Sequence, residues 1–79
     1  MPKDNISKKQ QDIKKIIANN IRTSRESQGW SQEEAAHRVN VHFRHYQKIE
    51  YGKVNVTIDT LVKVCKGFGI NIQDLFKAK

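Results

Sequence analysis

His37, His42, His45 and Cys65 are the side chains of this sequence with the widest chemical reach. His42 and His45 stand one helical turn apart, so a three-histidine zinc site is the sharpest chemistry they suggest. No cysteine or carboxylate completes a recognised ligand spacing around them. Cys65 falls among apolar residues and reads as core, and the serines and threonines fall at helix starts. No glycine-rich phosphate loop is present. Neither catalysis nor a metal nor a cofactor is therefore expected. A second chemistry is better supported. Arg44, Gln47 and Lys48 are spaced three and four residues apart, which puts them on one helical face. A guanidinium forks onto O6 and N7 of guanine, a carboxamide bridges N6 and N7 of adenine, and an ammonium reaches guanine or phosphate. Phe43 beside them can touch a thymine methyl or pack inward, and His45 suits a phosphate.

That face needs a helix anchored from behind. On a wheel of about 100° per residue, Tyr46, Ile49 and Glu50 fall opposite Arg44, Gln47 and Lys48. This predicts a helix over about 42–51 with one buried and one open side, ended by Gly52. Before it, Ser31-Gln32-Glu33-Glu34 reads as a capping box opening a short helix over about 31–38, with Ala35 and Ala36 allowing close approach. Asn40 tolerates the left-handed conformation and can turn the chain sharply between the two. Ile13, Ile17 and Ile21 form the stripe of a first helix over about 12–28. Thr57 caps a fourth, whose stripe is Ile58, Leu61, Cys65 and Phe68, and whose end is Gly69. Asn71 caps a last helix over about 71–77. Both stripes read as core. Residues 1–11 read as a flexible basic tail, and 12–79 as one domain. The expected fold class is all-α, with five short helices.

Composition narrows the class further. The chain has 79 residues, 15 Lys plus Arg against 8 Asp plus Glu, and a net charge of +7. A surplus of that size on so small a chain favours a polyanionic partner. A single cysteine excludes an internal disulfide framework and fits a reducing compartment. No signal peptide and no apolar run of about 20 residues is present, so the expected location is cytoplasmic and nucleoid-associated, with no membrane partner.

The stretch from Ile17 to Phe76 resembles the Cro and phage-repressor (Xre-type) helix-turn-helix family. The residues that carry the likeness are Ile21 and Arg25; Gly29-Trp30-Ser31-Gln32-Glu33-Glu34; Ala36; Val41; Ile49-Glu50-Tyr51-Gly52-Lys53; and Thr60-Leu61 through Phe68-Gly69-Ile70 to Leu75-Phe76. The resemblance implies a lambda-repressor-like domain with its helix-turn-helix at helices 2 and 3. Phe43, Arg44, Gln47 and Lys48 match the base-reading positions. Gln32, Tyr51, Lys53 and Asn55 match contacts to the DNA backbone, Gln32 also bracing the recognition helix. Arg25 and Glu50 match a structural ion pair between helices 1 and 3. Asn40 stands in place of the usual turn glycine, Ala35 in place of a leucine, and His42 where Ser or Thr often caps helix 3.

The expected function is that of a sequence-specific, double-stranded DNA-binding transcriptional regulator. One helix buries too little to be selective alone, so a homodimer on an inverted-repeat operator is expected, half-sites about 34 Å apart. Ile72, Leu75 and Phe76 offer a dimer patch wherever the core does not consume them. RNA polymerase is a further partner, and no small-molecule ligand is expected. Regulators of this kind resemble phage Cro-like repressors, controller proteins of restriction–modification systems and antitoxin autoregulators. A competing reading is a protein-interaction module that keeps the fold without specific DNA binding.

Overall fold

The computed structural model describes the backbone of residues 2–78 and the side chains of 12–78. Four α-helices follow one another: α1 over Pro2–Gln28, α2 over Gln32–Arg38, α3 over Phe43–Glu50 and α4 over Ile58–Phe68. A 3₁₀ turn over Ile72–Phe76 closes the chain. No strand forms among the described residues.

The first helix starts earlier than its apolar stripe suggests. Residues 2–11, expected as a flexible tail, have helical backbone, while Met1 and the side chains of that segment lie outside the described residues. Proline has no amide donor to lose in the first turn, and no glycine interrupts the run that follows. The stripe had located only the part of the helix that packs.

Local chemistry fixes the other boundaries. The Ser31 hydroxyl accepts from the Glu34 amide at 3.0 Å and starts α2. Glu34 turns its carboxylate to Arg38 at 2.6 Å. At α3, His42 is the N-cap, its Nδ1 accepting from the Arg44 amide at 3.3 Å. The Thr57 hydroxyl accepts from the Thr60 amide at 3.1 Å and starts α4, which ends on Gly69 in the left-handed conformation. Asn40 makes the turn between α2 and α3 at φ +60°, a value asparagine adopts with little penalty.

The core gathers Ile17, Ile21, Ala35, Ala36, Val39, Tyr46, Ile49, Leu61, Val64, Cys65, Phe68 and Leu75. Trp30 packs against it and stacks on Phe68 with ring centroids 5.6 Å apart, and the Arg38 guanidinium lies over the Trp30 ring. Gly67 sits inside α4. A Cβ there would meet Val39 Cγ1 at 2.6 Å and Val39 Cα at 2.8 Å. α4 can therefore press against the end of α2, and the helix-turn-helix is held from behind.

Three expectations change. Ile13 and Ile58 are not core: they sit at the solvent ends of their stripes, and Ile58 is 64% exposed. The last element is a 3₁₀ turn and not an α-helix, and its end is held from α1. Asn20 Nδ2 donates to the oxygens of Leu75 at 2.8 Å and Lys77 at 2.9 Å. Leu75, expected in a dimer patch, is fully buried. Of that trio, Ile72 packs partly against the core and Phe76 stays 46% exposed.

Candidate nucleic-acid interface

α3 packs against α1 and α2. Its buried side carries Tyr46, Ile49 and Glu50, as the wheel predicts. Its open side carries Arg44 and Lys48, both exposed, with His45 and Gln47 half-buried between. Phe43 stays outside the core cluster and is 36% exposed, so it shares the open side. Tyr51, Lys53 and Asn55 follow on the exposed loop after the helix. The expected base-reading set therefore occupies one helix. Of the expected backbone set, His45 lies within the helix, Tyr51, Lys53 and Asn55 lie at and beyond its end, and Gln32 comes from the first turn of α2.

Gln32 joins the open side to the interior. Gln47 Nε2 donates to Gln32 Oε1 at 3.1 Å, and Gln32 Nε2 donates to Glu50 Oε1 at 3.1 Å. Glu50 is the centre of a closed polar cluster. Arg25 donates through Nε to Oε2 at 2.7 Å and through Nη2 to Oε1 at 3.3 Å. The Tyr46 hydroxyl donates to Oε2 at 2.6 Å. The expected Arg25–Glu50 pair is thus present and bidentate, the geometry in which such pairs are strongest. No buried side-chain polar atom among the described residues lacks a partner.

The charges in this cluster are fixed by their neighbours. Burial alone would push the Glu50 carboxyl up, but hydrogen bonds from Arg25, Tyr46 and Gln32 outweigh it and hold Glu50 below its ordinary value. The hydrogen bond to Glu50 raises Arg25 further. Burial, then the bond to Glu50, drives the Tyr46 hydroxyl upward. Glu50 is therefore a carboxylate, Arg25 a cation and Tyr46 a neutral donor at neutral pH.

Two supporting contacts were not anticipated. Arg22 Nη2 donates to the Glu50 backbone oxygen at 2.9 Å and so satisfies the end of α3. A cation one turn before Arg25 on the same helix was the available signal. The Tyr46 hydroxyl was the other: a tyrosine on a buried face needs a polar partner, and Glu50 four residues on is in reach. The three histidines hold no common site. No group of three or more His, Cys, Asp or Glu suited to a metal occurs among the described residues.

A family model described as helix-turn-helix matches residues 21–75, more than two-thirds of the chain and the whole of the assembly just described. The chain belongs to the Xre-type helix-turn-helix family. That family consists of DNA-binding transcription regulators and not of enzymes. Control protein C.MunI from a Mycoplasma species is 36% identical over 66 residues, spanning 82% of this chain and 89% of the relative. Control protein C.SmaI from Serratia marcescens is 33% identical over 64 residues, spanning 81% and 76%. A hypothetical transcription factor from Neisseria meningitidis is 28% identical over 61 residues, and the chain spans 58% of its length. The crystal structure of the Neisseria factor NHTF superposes with a TM-score of 0.80 at 26% identity, covering 86% of this chain and 78% of that one. No helix of the described residues is long and apolar enough to cross a membrane.

Proposed function

We propose that this helix-turn-helix protein reads a specific double-stranded DNA sequence as a homodimer and regulates transcription by occupying its operator. The observation that carries the reading is the open side of α3. Two exposed cations and a braced carboxamide stand on a helix whose other side is locked into the core. A side chain reads a base edge only when its helix holds a fixed register, and backbone contacts supply that register. Arg44, Gln47, Lys48 and Phe43 take the base-reading role, and Gln32, His45, Tyr51, Lys53 and Asn55 the phosphate role.

Dimerisation is supported by a second surface. Ile13, Ile17, Val56, Ile58, Leu61 and Phe76, together with Lys14 and Asn55, line an open groove of about 480 Å³ against α1, the start of α4 and the 3₁₀ turn. Ile58 and Phe76 are substantially exposed there, and Val62 adds a further apolar side chain on α4. A second copy meeting this face through a two-fold axis would cover it and place two recognition helices on an inverted repeat. The names of the two control-protein relatives favour a controller role over the phage or antitoxin alternatives, with the cytoplasm as its location.

The test is selection of bound duplexes from a random DNA pool near physiological salt, followed by sequencing. The expected result is an enriched inverted repeat with half-sites about one helical turn apart. Weak, salt-sensitive binding with no enriched sequence would overturn the proposal in favour of a protein-interaction module.

A further inference from the structure

The side chains from Gln47 to Glu50 form a chain of amides that ends on a charge, and that charge has a direction. A carboxylate only accepts hydrogen bonds. Glu50 Oε1, 3.1 Å from the Gln32 amide, must therefore face its NH₂ end. Gln32 then has only its carbonyl oxygen to offer at the other end, and Gln47 must meet that oxygen with its own NH₂, 3.1 Å away. The Gln47 carbonyl oxygen is left over. It accepts from no described residue and belongs to a half-exposed side chain on the open side of α3.

Glu50 cannot relax this constraint. Its second oxygen is already held by Arg25 Nε at 2.7 Å and the Tyr46 hydroxyl at 2.6 Å, both donors. Glu50 and Tyr46 are buried, and no buried side-chain polar atom among the described residues lacks a partner.

We propose that Glu50 is a positioning residue for base choice: acting through Gln32, it orients the Gln47 carboxamide to take adenine over guanine. The inference rests on the reading of α3 as a DNA recognition helix. With its NH₂ turned to Gln32, Gln47 presents a carbonyl acceptor and one remaining N–H donor. Adenine offers the complementary pair, a donor at N6 and an acceptor at N7. Guanine offers acceptors at both O6 and N7 and meets the Gln47 carbonyl with repulsion.

Reversing the charged end should reverse the display. In Glu50→Gln the new amide keeps its oxygen toward the two shorter donors, Arg25 Nε and the Tyr46 hydroxyl, gives up the longer 3.3 Å bond from Arg25 Nη2, and turns its NH₂ toward Gln32. Gln32 and Gln47 then flip in turn, and Gln47 shows two N–H donors to the groove. In Gln32→Met the ion pair stays whole and the chain is cut, so Gln47 turns freely.

The experiment measures competition binding on duplexes from the random-pool selection, with the four bases placed in turn at the position whose preference Gln47→Ala abolishes. The wild type should prefer adenine to guanine by about tenfold or more, the discrimination a bidentate base contact supplies. Glu50→Gln should lower that ratio below one. Gln32→Met, which does not depend on the folding of a variant lacking the buried charge, should bring it close to one. A base-preference ratio is not moved by a merely structural role, which would weaken all four duplexes alike. An unchanged adenine preference in Gln32→Met and Glu50→Gln would overturn the proposal while leaving sequence-specific binding intact. A wild type with no preferred sequence, or a Gln47→Ala variant with every preference retained, would instead remove the recognition reading on which it rests.

Discussion

Two regions of the molecule handle exposed chemistry in opposite ways. Around Glu50 the carboxylate is fully partnered: Arg25, Tyr46 and Gln32 donate to it, and Gln47 donates to Gln32. Around Ile13, Ile58 and Phe76 the apolar surface is left open to solvent. The first region is complete within one chain, and what it displays outward is a fixed set of polar groups. The second is incomplete within one chain, and its display is a surface that gains by being covered. In the proposed function the two regions separate the tasks of a regulator, one reading DNA and the other pairing copies.

Removing the centre of the satisfied region should have the largest effect. Glu50→Ala leaves Arg25, the Tyr46 hydroxyl and the Gln32 amide without their acceptor, and should cost about 3–5 kcal/mol of stability. A urea midpoint unchanged from wild type would show that the cluster is not what holds α1 to α3. Acid should probe the same centre more gently. Because the folded carboxyl is held below its ordinary value of 4.5, its contribution is present above that value. It is lost as the pH falls through the lower folded value. Thermal unfolding should therefore show a stability loss below about pH 4.5 that is smaller in Glu50→Gln, and equal losses in the two proteins would contradict the assignment.

Smaller effects probe the open end. Asn20→Ala removes two donors that hold the 3₁₀ turn carrying Phe76, and should cost about 1–2 kcal/mol. Phe76→Asp should change monomer stability by less than about 0.5 kcal/mol, because the ring is half exposed. It should nevertheless shift sedimentation from dimer to monomer and weaken binding to the inverted repeat. A variant that stays dimeric would move the pairing surface elsewhere.

How far the sequence reveals these regions follows from the range of the interactions. Ser31, Thr57 and Asn40 announce the helix starts and the turn through their own backbone chemistry, and the wheel separates Glu50 from Arg44. The Arg25–Glu50 pair comes from the family resemblance. Three features depend on tertiary geometry that no local pattern encodes. Whether Ile13 and Ile58 are buried depends on where the neighbouring helices end. The last turn is held by Asn20, 55 positions earlier than Leu75, whose carbonyl accepts from it. Gly67 matters because the end of α2 arrives against it. The start of α1 is missed for a simpler reason: periodicity marks the packed part of a helix, and residues 2–11 contain a single isoleucine, Ile6.

The most direct test of the central claim, that the open side of α3 reads sequence while its flank holds the backbone, compares Arg44→Ala with Lys53→Ala. Both side chains are exposed, so neither change should disturb the fold. Each variant is titrated against the selected operator and all of its single-base substitutions, at several salt concentrations. Arg44→Ala should lose about 1–3 kcal/mol at one base pair and relax the preference there alone. Lys53→Ala should weaken every duplex alike and flatten the salt slope by about one unit. If both variants weaken all duplexes uniformly, α3 does not read the sequence and the account is contradicted.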